Sequence, residues 1–508
     1  MTGWPPERVD MQTLVARLGG TAAAMPRRIA IQQGARRINY RALRDAALRF
    51  AAGLRARGVQ AGDRVGLALP NGIEAAVAWY GTWRAGAVVV PLNAQARERD
   101  FTAWLRHGGV KLLLHWHGHA DAAQAAGIAG VPTLVLGPDP DPAGMFADAS
   151  TDAAADLPMP DATALAAILY TSGTTGSPKG VALSHRNLAV NTASILGYLR
   201  LGAEDSTVST LPFYYTYGAS VLHTHLAVGA RMVLEDNVVF PHLVAEALER
   251  ERATGFSGVP STFALLLDRG RLEHYDLSSL RYLTQAGGAM APALTRRVRE
   301  AFPGARLFVM YGQTEASARL TCLAPEHLDE KPGSVGTPIA GVEIRVRRDG
   351  GADAEPGEQG EVWARGDNVM TGYWNAPEAT AAVLVDGWLR TGDLGHLDAD
   401  GFLWLAGRRA DMIKTGAHRV HPQDVEEVIA ELPGVREVAV AGIDDALLGQ
   451  VVAAFLVAGA DAPDEMAVKA HCRRRLAGYK IPKQVAFVAE LPKTASGKVR
   501  RAALTQGT

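Results

Sequence analysis

The stretch TSGTTGSPKG, Thr171 to Gly180, lies between two apolar runs, ALAAILY from Ala164 to Tyr170 and VAL from Val181 to Leu183. Apolar runs of this length read as buried strands, so the loop hangs from a sheet rather than joining two surface segments. Within it Gly173, Gly176 and Gly180 permit positive φ and close backbone approach. Thr171, Ser172, Thr174, Thr175 and Ser177 supply hydroxyl donors, and Lys179 adds a compact positive charge. A loop so equipped suits a polyphosphate. It is not the Walker lysine loop, which places four residues between Gly and Gly-Lys and then Ser or Thr; here Pro178 precedes the lysine and Gly180 follows it.

Working outward, apolar residues at helical spacing (Leu43, Ala47, Phe50, Ala51, Leu54) predict a helix over Tyr40 to Arg57. A strand over Val65 to Leu69 and a helix over Gly72 to Ala85 follow. Short apolar strands at Val88 to Pro91, Val110 to Leu114 and Thr133 to Leu136 alternate with helices, which argues a layered α/β core with a largely parallel sheet. Pro138 to Asp161 reads as a surface connection. The phosphate loop is then expected to open a second α/β unit, with a helix from Ser184 to Leu199 capped by its serine, strands at Thr207 to Leu211 and Arg231 to Leu234, and a turn at Gly287-Gly288. After Gly360 short alternating segments (Glu361 to Ala364, Phe402 to Leu405) predict a β-rich subdomain. Beyond Gly407-Arg408 the order strand, helix, strand, strand, helix, strand suits a compact α+β lid hinged near Arg409 to Asp411. The expected domains are therefore 1–408 and a small mobile lid, 409–508.

At 508 residues the chain exceeds a single ordinary core. Its formal net charge of −1 provides no global field for nucleic acid or an anionic membrane, and no apolar stretch is long enough to span a bilayer. The start, MTGWPPERVD, lacks a signal-peptide pattern, and Cys322 and Cys472 have neither metal-ligand spacing nor a disulfide framework, so a reducing cytoplasm is the expected compartment. Only nine of the 52 basic residues are Lys, five of them in the last forty residues, which singles out places that need a mobile ammonium rather than a planar fork.

Five further runs carry chemistry: YGQTEAS (Tyr311 to Ser317), TGDLGHLDADG (Thr391 to Gly401), Gly407-Arg408, AGGAM (Ala286 to Met290) and PKTASGKVRR (Pro492 to Arg501). An aromatic face suits a purine, a carboxylate suits a hard cation on phosphates or a pair of hydroxyl donors, and a lysine suits a site where two anions must meet. Standing alone, each has a plainer reading: the Asp- and Gly-rich run is a turn, Glu315 a helix-start acid, Lys498 solvated surface. Together and in this order they resemble the adenylate-forming superfamily of acyl-CoA synthetases, luciferases and peptide-synthetase adenylation domains, from about Asn39 to Arg501.

The resemblance implies roles. Thr171, Ser172, Gly173, Thr174, Thr175, Gly176 and Lys179 hold the phosphates of ATP; Tyr311, with Gly312 and Thr314, faces adenine; Glu315 holds Mg²⁺; Asp393 accepts from the ribose hydroxyls and Arg408 lies near ribose and phosphate. Gly288 and Ala289 line adenine and the acyl pocket. Lys498 bridges the attacking carboxylate and the α-phosphate, after which the lid turns, the loop around Lys414 to Arg419 enters, and the pantetheine thiol of coenzyme A, or of a carrier protein, attacks the acyl adenylate.

The chain also departs from the pattern. Ala410 stands where the hinge residue is usually Asp or Lys, and Ala417 where a glycine usually lets pantetheine pass. Tyr215 replaces a common His, and Gly218 stands where amino-acid-activating relatives place Asp, which disfavours an α-amino acid. Tyr214, Tyr215 and Tyr217 read either as substrate contacts or as core aromatics. Ala219, His223, His225, Gly288 and Met290 are expected walls of a mainly apolar acyl pocket. The expected enzyme is an ATP-dependent acid–thiol ligase acting on a small-molecule carboxylic acid. A ligase that loads a separate carrier protein, suggested by Ala417 and the run Arg473 to Arg475, and a nucleotide-binding module without catalysis are the alternatives.

Overall fold

The structure, a computed structural model, describes residues 12–137, 151–171, 179–235, 240–408, 411–415, 418–445, 448–459, 461–494 and 498–505. Two large sheets and a smaller antiparallel one form the body. The first sheet has seven strands in the order Gly372–Tyr373, Lys179–Ser184, Leu165–Thr171, Val88–Pro91, Arg64–Ala68, Val110–Trp116, Thr133–Leu136, parallel from Leu165–Thr171 onward. Helices Tyr40–Ala56 and Ile73–Arg84 pack within its core, the former buried along Leu43, Ala47, Phe50 and Leu54 and capped by Asn39, whose Oδ1 accepts from Ala42 N at 2.8 Å.

The expected second unit starts later than the sequence suggests. Leu165–Thr171 and Lys179–Ser184 form an antiparallel pair within the first sheet, Val89 pairing with Ala167. A seven-residue connection between two strands makes a hairpin, not a parallel crossover, and so keeps both strands in one sheet. Thr171 and Lys179 face each other at its mouth. Helix His185–Leu199 follows, held by a reciprocal cap in which Asn187 N donates to Ser184 Oγ and Ser184 N donates to Asn187 Oδ1.

The second sheet has nine strands in the order Thr337–Pro338, Thr321–Leu323, Arg306–Tyr311, Tyr282–Gln285, Gly255–Gly258, Ser206–Ser209, Arg231–Leu234, Ile29–Gln33, Arg36–Asn39. Its five central strands are parallel, and Ile29–Gln33 joins them from the other end of the chain, parallel to Arg231–Leu234. The predicted β-rich region is an antiparallel sheet of Val342–Arg347, Gly360–Gly366, Trp388–Leu397 and Leu384–Val385, with Leu403–Arg408 paired to Trp388–Leu397.

A fourth sheet lies in the C-terminal part: His418–Val420, Ile413–Thr415, Gly449–Ala458, Val435–Asp445, with Gln484–Phe487 parallel to Gly449–Ala458. Helices Pro422–Ile429 and Glu465–Arg475 accompany it, and its cores are built from its own residues, among them Ile413, Val425, Ile429, Val440 and Val452. The predicted strand and helix order holds, with one addition: the first strand is a hairpin, Ile413 pairing with Val420. Among the described residues no helix is long and apolar enough to cross a membrane.

Candidate active site

Strand ends from both large sheets meet the antiparallel sheet and the C-terminal part. Arg306–Tyr311 delivers Tyr311, after which the chain turns through a short 3₁₀ segment, Thr314–Ala316. Gly312 is needed here for space: a Cβ would lie 2.0 Å from Ala318 O. Glu315 is half-buried, and its Oε1 accepts from Tyr373 Oη at 2.9 Å. Tyr373 also presents its ring to Lys179, whose Nζ is 5.5 Å from the ring centre. Burial first, and then the Glu315 charge, pushes the Tyr373 hydroxyl far above its ordinary value, so it remains a donor. Tyr373 thus joins the phosphate-loop lysine to the predicted metal ligand.

Asp393 is buried and uses both oxygens: Oδ2 accepts from Tyr311 Oη at 2.6 Å and Oδ1 pairs with Arg408 Nε at 3.0 Å. The sequence ordains the closeness, since Asp393 and Arg408 are register partners on adjacent strands. Burial, then Asp393, drives the Tyr311 phenol well above its usual range, and Asp393 holds Arg408 still more firmly protonated. A carboxylate retains lone pairs beyond these two contacts for the hydroxyls of a ribose.

Lys498 lies within electrostatic reach of the same residues. Its own surface is open to solvent while protein surrounds it at longer range; that crowding, then the positive Arg408, lowers its ammonium pKa, and Asp393 and Glu315 oppose the shift. Glu315, Asp393, Arg408 and Lys498, spread over 183 positions of sequence, therefore share one electrostatic environment. Lys331, Lys469, Lys480 and Lys493 sit in ion pairs; Lys179 and Lys498, like Lys111, Lys414 and Lys483, form none among the described residues.

On the acyl side, Gly288 and Ala289 are exposed and Met290 is buried in the core beneath the second sheet. Gly287 has φ of 87°, which suits a glycine, and Gln285 Nε2 donates to Gly288 O at 2.8 Å. Gly218 has a steric cause: a Cβ would stand 2.1 Å from Pro212 O, so no side chain of any kind fits there. Tyr217 is a core residue, its Oη bonded to Thr284 O at 2.8 Å, while Tyr214 and Tyr215 are half-buried with ring centres 4.6 Å apart. Ala219 and His223 line one cavity; His225 lies in another and is bonded on both ring nitrogens, to Val221 O and Tyr282 Oη, each at 2.7 Å.

Ser172 to Gly176 of the phosphate loop, the predicted hinge residues 409–410, and Gly416 and Ala417 lie outside the described residues. Gly180, inside them, owes its identity to crowding, with Ile168 Cγ2 2.7 Å from where a Cβ would be. Asp411 pairs with Arg501 at 3.5 Å, and Arg501 also holds Glu426. Sequence reasoning missed Tyr373 and the fully buried Asn368, whose Nδ2 donates to Ala316 O at 3.2 Å and Arg319 O at 2.9 Å and so braces the Glu315 turn. The aromatic pair in GYWN, Gly372 to Asn375, was the available signal for Tyr373; for Asn368 there was none.

The model of the AMP-binding enzyme family matches residues 20–374, and that of the AMP-binding enzyme C-terminal domain matches residues 424–498. A feruloyl-CoA synthase of Amycolatopsis sp is 36% identical over 483 residues, covering 94% of this chain and 95% of the relative. A long-chain-fatty-acid–CoA ligase of Bacillus subtilis is 33% identical over 533 aligned positions, covering 97% of this chain and 94% of the relative. Among solved structures, o-succinylbenzoate CoA synthetase of Bacillus subtilis, in complex with its acyl-adenylate intermediate, superposes with a TM-score of 0.84 at 30% identity, covering 98% of this chain and 99% of that one.

Proposed function

We propose, from the premise that this chain belongs to the AMP-binding enzyme family, that it is an AMP-forming acid–thiol ligase of the acyl-CoA synthetase type. It joins a carboxylic acid to the α-phosphate of ATP and then passes the acyl group to the thiol of coenzyme A. The observation that carries this reading is the electrostatic environment that Lys498 shares with Arg408, Asp393 and Glu315. A module that only binds nucleotide has no use for a lysine brought from the C-terminal part of the chain to two carboxylates of the body.

In the first half-reaction a carboxylate oxygen of the acid attacks the α-phosphorus in line and pyrophosphate leaves, so two anions approach while negative charge builds on the phosphoryl oxygens. The Lys498 ammonium supports that charge, its pKa lowered by the surrounding protein and by Arg408. Lys179 and the Thr171 end of the hairpin face the departing pyrophosphate. Asp393 takes the ribose hydroxyls and Tyr311 the adenine. Glu315 fits a magnesium ion, being a half-buried carboxylate with one oxygen oriented by Tyr373 and no ion pair among the described residues, and one protein carboxylate plus phosphates and water is an ordinary magnesium shell. Bound there, the ion neutralises phosphate charge. In the second half-reaction residues 409–508 act as a lid that withdraws Lys498 and admits the thiol, which displaces AMP; closure keeps water from the mixed anhydride.

The test is acid-dependent exchange of labelled pyrophosphate into ATP, followed by thioester formation with coenzyme A. Exchange with no acid across a broad panel, while ATP still binds, sinks the ligase reading. Offering coenzyme A and a carrier protein side by side separates the two thiol acceptors, for which the exposed Arg473, Arg474 and Arg475 at the end of helix Glu465–Arg475 keep the carrier in view.

A further inference from the structure

Arg319 follows the Glu315 turn by four residues and is 3% exposed, yet no carboxylate pairs with it among the described residues. Its contacts are weak for a buried cation. Nε points to Met310 Sδ at 3.3 Å, Nη1 donates to Ala318 O at 3.1 Å, and the guanidinium lies over the Tyr217 ring, 4.2 Å from its centre. A thioether is a poor acceptor, one peptide carbonyl carries no net charge, and the Tyr198 phenol hydrogen-bonded to the guanidinium is kept neutral by burial. The other deeply buried arginine, Arg84, shows the ordinary solution without an acid: both of its Nη groups donate to carbonyls, of Pro158 and Ala155, just after a short helix. Removing a guanidinium from water without a counter-charge is among the costliest arrangements a core can contain.

Arg319 opens onto a narrow cavity, with Ser220, Thr224, Ser257, Thr284 and Tyr282 also in its wall. The hydroxyls bond within the protein, so the guanidinium is the donor left to recognise a carboxylate or sulfonate. The cavity lies toward the expected acyl side: Ser220 and Thr224 of its wall are on helix Thr216–Val228, which also carries Gly218 and Ala219, and Arg319 follows the turn that carries Glu315. Resting on the ligase reading above, we propose that the acid bears a second anionic group at its far end, and that Arg319 selects it: one carboxylate is activated at the α-phosphorus while the other pairs with the buried guanidinium.

The experiment compares acids in matched pairs, α,ω-dicarboxylic and aromatic dicarboxylic acids of graded length against their monomethyl esters, by pyrophosphate exchange and by kcat/KM for thioester formation. At least one diacid is expected to exceed its monoester by about 30-fold or more. Arg319→Met, close in length and uncharged, is expected to erase or invert that ratio while leaving the melting temperature unchanged or raised, because it removes an uncompensated buried charge. The ratio within one variant is independent of how much of that variant folds. Ratios near one for every pair overturn the proposal, as does an Arg319→Met protein that melts lower and loses both members of a pair equally, which makes Arg319 a packing cation on Tyr217. No exchange with any acid fails the ligase reading itself and the proposal with it.

Discussion

Replacing Tyr373 by Phe removes one oxygen and tests whether the tyrosine orients Glu315 or only packs. The ring and its approach to Lys179 are retained; what is lost is the 2.9 Å hydrogen bond to Glu315 Oε1. A hydrogen bond to a charged group contributes about 1.5–3 kcal/mol. Glu315 is only half-buried, so water recovers part of this in the free enzyme, and an effect of roughly 1.4 kcal/mol, or tenfold, is expected at the low end of that range. The loss should fall on the ion-dependent step: the magnesium concentration for half-maximal pyrophosphate exchange rises about tenfold, kcat/KM for ATP falls by a similar factor at limiting magnesium, and excess magnesium restores most of the rate. Thermal unfolding shifts by no more than about 2 °C, since the hydroxyl's partner keeps access to solvent. A lower melting temperature with an unchanged magnesium requirement would refute the reasoning and return Tyr373 to the strand edge as a packing residue.

Lys498→Ala should lower pyrophosphate exchange by at least about a hundredfold with the ATP dissociation constant within about twofold, by calorimetry; exchange that persists moves the charge-stabilising role elsewhere. Gly218→Ala drives a Cβ to 2.1 Å from Pro212 O and 2.7 Å from Leu211 O, both backbone, so a loss of about 3 kcal/mol or more is expected in chemical denaturation, and an unchanged midpoint would show that the start of helix Thr216–Val228 yields. Burial lowers His223 to about 3 and His185 and His225 to about 4. Their folded values lie below the unfolded one near 6.5, so this stability is complete above that pH and declines as pH falls toward 4, by up to about 1.4 kcal/mol per unit for each histidine. Denaturation midpoints at pH 7.5, 6.5 and 5.5 should fall mostly between the last two; a fall confined to pH above 6.5 would be incompatible with neutral buried rings.

Much of the site was legible because its residues lie in compact runs whose chemistry is local. Tyr311 and Glu315 are four residues apart on one turn, and Asp393 and Arg408 become neighbours through a simple antiparallel pairing. Helices with a clear apolar stripe, such as Tyr40–Ala56, were equally plain. The sequence misled where partnership is decided at long range. The phosphate-loop hairpin looks like the start of a new unit until Val89 is seen to pair with Ala167, and nothing in the local pattern of Ile29–Gln33 announces a strand that inserts beside Arg231–Leu234. Tyr373 was overlooked because its partners, Glu315 and Lys179, lie 58 and 194 positions away.

The turn after Tyr311 shows how the body holds Glu315 still for chemistry. Ser317 has φ of 59° and Ala318 of 127°, a region that residues with a Cβ rarely adopt, at a cost of order 1–3 kcal/mol each. That backbone bends the Ala318 carbonyl over Gly312, which is why position 312 tolerates only hydrogen as a side chain. The strain persists because neighbours over-determine it: Asn368 grips Ala316 O and Arg319 O, Ser317 Oγ donates to Asn368 O at 2.7 Å, Asn191 Nδ2 reaches Arg319 O at 3.1 Å, and Met370 N donates to Glu315 O at 2.8 Å. Asn368 and Met370 come from the segment that also brings Tyr373 to the first sheet, so one stretch of chain fixes both the backbone of Glu315 and the hydroxyl that aims its carboxylate. Under the proposed function, phosphate charge is met where the fold cannot give way, and Lys498 belongs to the C-terminal part, whose sheet has cores of its own, as a cation that leaves between half-reactions requires.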